Sequence, residues 1–90
     1  MTREHLAEAA TSIQSASDAA DDDETIERLR NQSEQFSTLA DADRGPDHGK
    51  LARHEHVLTE IADGESSDVA SHVERALESI HAYRETLEGV

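Results

Sequence analysis

The apolar residues of this chain recur every three to four positions, and three clusters of helix-breaking residues interrupt them. That pattern constrains the fold more than any other feature. A helix gathers residues three and four apart on one side, whereas a half-buried strand demands strict alternation. In the first segment Leu6, Ala9, Ala10, Ile13, Ala16 and Ala20 share one stripe, with Thr2 placed to cap its start. In the second, Ile26, Leu29, Ser33, Phe36 and Ala40 face inward. The third carries Leu51, Leu58 and Ile61, with His54 among them. The fourth stripe is the strongest: Val69, Val73, Ala76, Leu77, Ile80, Tyr83 and Leu87.

The interruptions fit helix ends. The acidic run DDDE at 21–24 invites a calcium reading, but it lacks the alternating oxygen ligands, the glycine turn and the distal Glu of an EF-hand loop. It reads as an Asp cap with acids at a helix N-terminus. In DADRGPDHG at 41–49, Pro46 suits the first position of the third helix, where its missing N–H is harmless, and Asp47 follows beside the positive helix end. Gly64 supplies a stop, and Ser66 or Ser67 caps the last helix. The spacing predicts helices over 2–20, 23–40, 46–62 and 67–87. Connections this short make successive helices antiparallel, so the expected fold is all-α, a single-domain up-down-up-down four-helix bundle over 1–90.

Composition limits how firmly such a bundle is held. Beside thirteen alanines and Met1, only seventeen apolar side chains are present. With a net charge of -13, that content alone is a signature of disorder. The periodicity outweighs it. Twenty-one acids stand against seven Arg and the single Lys50, a balance similar to that of proteins from salt-accumulating haloarchaea. Such a surface repels itself, and concentrated counterions such as K+ relieve the repulsion. It also disfavours nucleic acid and anionic membrane as partners. The absence of cysteine excludes disulfides and thiol chemistry. MTREHLAEAA has no apolar run of the secretory type, and no stretch is long enough to span a bilayer, so a cytoplasmic protein is expected.

Three of the six histidines fall between 48 and 56. At about 100° per residue, His54 joins the buried side while His56 lies nearly opposite, so HEH is not a paired ligand set. His48 belongs to the first turn. The other metal-like motif is Glu78-x-x-His81, the spacing of ferritin-like carboxylate sites. Those sites need a second copy of the motif and two further inward glutamates, and Glu78 sits about 180° from the apolar stripe. His54, His81 and Glu78 are therefore the weak metal candidates, and no metal or other cofactor is expected. His54 reads first as a core residue near Leu77 and Ile80, bonded to a neighbour or to water. No serine sits in a nucleophile elbow, and no glycine-rich phosphate loop is present, so no enzyme is expected.

The block DRGPDHGKLARHEHVL, with the tail HAYRETLEGV, resembles a family of small uncharacterised haloarchaeal proteins that carry an RGPDHG-type turn before a LARHEH-type helix. The resemblance covers the whole chain and is most specific over 43–58 and 81–90. It implies one salt-adapted domain and carries over no functional residue. The function expected is association with another protein or with itself, as in a homodimer, with Leu39 off the core face of the second helix as one contact. The alternative is a metal- or small-ligand-binding bundle centred on His54.

Overall fold

In a computed structural model, which describes residues 4–42 and 44–87, the four apolar stripes close on one another. The helices are α1 (Glu4–Ala19), α2 (Asp23–Asp41), α3 (His48–Ala62) and α4 (Ser67–Arg84). No strand occurs among the described residues. Each helix touches its neighbour in sequence, and α1 meets α4 to close the ring.

The caps explain where the helices begin. Asp22 accepts the Thr25 N–H at 3.0 Å, which places the acids of the DDDE run at a helix start. Asp47 accepts the Lys50 N–H at 2.8 Å and is itself the N-cap of α3. Pro46 therefore lies outside the helix, one residue before the cap, and is buried rather than filling the first helical position. Pro46 and the fully buried Leu51 occupy the two positions of a hydrophobic staple, which fixes how the loop enters the helix. Gly64, at φ +83°, ends α3 in the left-handed conformation that glycine adopts without a Cβ clash. Ser66 caps α4. That helix stops at Arg84, three residues before the expected end, and Glu85 and Thr86 continue as a turn. The Thr2 cap lies outside the described residues.

Packing follows side-chain size. All six predicted stripe residues of α1 are buried. Because four of them are alanine, α2 and α4 approach α1 closely along its length. Phe36, Leu29, Leu51, Leu58 and Ile80 fill the interior at 0% exposure. α3 carries large side chains toward the core; it meets α4 over a shorter stretch and α2 over the shortest of all. α2 differs from expectation. Thr25 and Gln32 are buried, whereas Ile26 and Ala40 are only half-buried. Thr25, Leu29, Gln32 and Phe36 form a stripe at 4-3-4 spacing. Polar pairing draws two of them in: Thr25 donates its hydroxyl to Glu65 at 3.0 Å, and Gln32 meets His54. Ser33 secures the other flank by donating to the Ala10 carbonyl at 2.9 Å.

Candidate functional site

α3 carries the chemistry-bearing residues, and neighbouring positions on it serve different neighbours. His54 is 8% exposed. Its Nδ1 lies 2.8 Å from Gln32 Oε1, and its ring meets Phe36 edge-on at 4.9 Å between centroids. An amide oxygen only accepts, so the ring donates from Nδ1–H and keeps its lone pair on Nε2. Burial lowers the His54 pKa below its ordinary 6.5, and the charges of Lys50 and Arg53 lower it further. The ring is therefore neutral at pH 7. His54 is buried as expected, and its hydrogen bond and ring contact are with Gln32 and Phe36 of α2. A buried imidazole needs a polar partner, and α2 supplies one.

His81 belongs to a second group on the α4 side. Arg84 donates from Nε to His48 Nδ1 at 3.1 Å and from Nη1 to Glu55 Oε1 at 3.0 Å. His81 Nε2 stands 3.9 Å from Glu55 Oε2. Because His48 Nδ1 accepts, that ring carries its proton on Nε2, a buried atom without a hydrogen-bond partner. Arg84 and Glu55 are largely covered, and theirs is the one Arg–carboxylate or Lys–carboxylate pair among the described residues. Glu78 is exposed and joins neither group, so the Glu-x-x-His spacing does not converge. His56 is exposed and paired with Glu60 at 3.2 Å. Among the described residues no three His, Asp or Glu side chains come together to hold a metal ion.

The loose seating of α3 leaves a cleft on each side of it. Between α2 and α3 lies a cleft of about 580 Å³, lined by Gln32, Gln35, Lys50, Arg53 and His54. Between α3 and α4 lies one of about 440 Å³, with Ala62, Ala70, Val73 and Leu77 as its apolar lining. Glu60, Asp63 and Glu74 border that second cleft. Leu39 packs partly on the core and lines a smaller hollow beside Lys50. Gln32, Glu55 and Arg84 escaped sequence reasoning. The one signal for Gln32 was a polar residue in register with Leu29 and Phe36. No helix among the described residues is long and apolar enough to cross a membrane.

Residues 1–86 match the model of a family described as a family of unknown function, DUF7553. No curated protein and no solved structure matches the chain.

Proposed function

Starting from the premise that the chain belongs to that family of unknown function, we propose that it is a non-catalytic helical binding module. On this reading it recognises another protein through the cleft between α3 and α4. The observation that carries this is the chemistry of that cleft: an aliphatic lining of Ala62, Ala70, Val73 and Leu77 beside the carboxylates of Glu60, Asp63 and Glu74. A matching partner presents an aliphatic side chain with Lys or Arg next to it, so apolar burial and contact ion pairs form together. A second copy fits less well, because it brings the same acids and the same net charge of -13.

The excess of acids and the single lysine support a haloarchaeal, cytoplasmic setting rich in K+, with neither nucleic acid nor membrane as partner. At about 1 M salt the screening length is roughly 3 Å, so charges no longer steer the encounter and pairs act only at contact. Apolar burial persists under those conditions.

Fluorescence anisotropy in molar KCl, with a labelled helical peptide of leucine and lysine that has one apolar face, tests the reading. Saturable binding is expected, with loss on combining Glu60→Lys and Glu74→Lys. Both residues are exposed, so the core is untouched. Binding that survives the double reversal contradicts the assignment. Self-association lost on the same reversal would make the second copy the occupant.

A further inference from the structure

The cleft between α2 and α3 has the opposite character to the rest of the surface. In a chain with twenty-one acids and eight Lys and Arg, the only lysine and Arg53 line one cleft, one helical turn apart on α3. The single carboxylate lining it, Asp47, accepts the Lys50 N–H through Oδ1 at 2.8 Å. Neither Lys50 nor Arg53 is ion-paired among the described residues. Glu34 of α2 shares the adjoining hollow with Lys50.

The cleft also reaches groups that are more than nine-tenths buried. Gln32 and His54 are each 8% exposed, and both line it. The Gln32 amide oxygen is taken by His54, while its NH2 group has no protein partner among the described residues and opens to solvent in the cleft. Two flexible cations and a solvent-reached amide donor lining one cleft form a recognition set for an oxyanion. The guanidinium fork and three-donor ammonium match the several oxygens of a phosphate better than a spherical chloride, which a salt-rich solvent supplies in excess. About 580 Å³ exceeds the size of a bare ion, and Val57 offers the cleft an aliphatic wall for an organic body.

We propose that this cleft binds a small phosphomonoester, its phosphate held by Lys50 and Arg53 with the Gln32 amide beneath. The proposal rests on reading the His54 cleft as a small-ligand site and is independent of the cleft between α3 and α4. An anion there opposes the two positive charges that disfavour protonated His54. Bound phosphate therefore raises the His54 pKa. The charges that act on the ring are Lys50 and Arg53 of α3; Asp47, the N-cap of α3, also lines the cleft, Glu34 of α2 lines the adjoining hollow, and Gln32 and Phe36 of α2 touch the ring and carry no charge.

Nuclear magnetic resonance in molar KCl, with phenyl phosphate and succinate added separately to the full chain, tests this. Phenyl phosphate is expected to shift the Gln32 side-chain amide and the His54 ring saturably and to move the ring's titration to higher pH. Combining Lys50→Gln and Arg53→Gln, both at exposed positions, should weaken binding about tenfold or more. The remote pair Arg28→Gln and Arg75→Gln should leave it within about twofold. No saturable shift, or equal weakening by both pairs, overturns the proposal. Succinate binding without phenyl phosphate binding overturns the phosphate assignment and leaves a carboxylate site.

Discussion

Gln32 Oε1 lies 2.8 Å from His54 Nδ1 and ties α2 to α3, the adjacent pair of helices that touch least. Leucine at position 54 removes the only side-chain donor to that oxygen among the described residues and leaves the amide oxygen of a mostly buried residue without a protein partner. Leucine in place of His54 alone is therefore expected to cost about 1–2 kcal/mol, because an unmet buried polar group is worse than none. Adding Gln32→Leu should recover most of that loss. Chemical denaturation of the two single variants and the double variant in molar KCl checks it. Additive losses contradict the pairing.

The depressed His54 pKa has a pH signature. The unfolded chain takes up a proton near pH 6.5 while the folded ring resists, so the unfolded state binds more protons as pH falls. The contribution of His54 is fully present above about 6.5 and is lost progressively below it, down through the lowered folded pKa. His54→Gln should flatten the fall of melting temperature on acidification relative to the parent chain. Equal slopes contradict the shift.

Arg84 crosses from α4 to α3 and bonds both His48 and Glu55. With Arg84→Met the Glu55 carboxylate, 16% exposed, loses its only Arg or Lys partner among the described residues. A cost of about 1–3 kcal/mol is expected, more than for an exposed pair. Removing the carboxylate as well, by Glu55→Gln, should return part of it. Thermal melts of the single and double variants decide the matter.

The acids set the response to salt. They cluster at 18–24 and 41–47, and α1 brings mostly alanine to a modest core, so the surplus over conformational entropy is small. The screening length falls from about 10 Å at 0.1 M to roughly 3 Å at 1 M, which relieves repulsion between distant acids. The melting midpoint by circular dichroism should rise steadily from millimolar to molar KCl, and further in sulfate, which strengthens apolar burial. A midpoint that barely moves removes the physical basis of the salt-adapted reading.

The helices were legible because α1 and α4 obey a single period from end to end, and because Asp22, Gly64 and Ser66 act locally on adjacent backbone. The α2 face was less so. Its burial is decided by Gln32 and Thr25, polar residues whose partners lie 22 and 40 positions away. The group of His48, Glu55, His81 and Arg84 was invisible for the same reason. His48 and Glu55 are two turns apart on α3, and only the antiparallel pairing with α4 brings Arg84 between them. The residues of that group come from the two blocks that carried the sequence resemblance. Pro46 was misplaced by one cap, since proline and aspartate both favour helix starts and the Asp47 side-chain bond decided between them.

On the proposed reading an aliphatic side chain flanked by Lys or Arg docks between α3 and α4, and residue-resolved nuclear magnetic resonance of the labelled chain in molar KCl tests that docking. Titration with the leucine–lysine peptide should shift backbone amides of Thr59, Ala62, Ala70, Val73 and Leu77, which line that cleft. Amides on the outer faces of α1 and α2 should stay in place. Shifts spread over every acidic surface, or concentrated on α1 and α2, would contradict it.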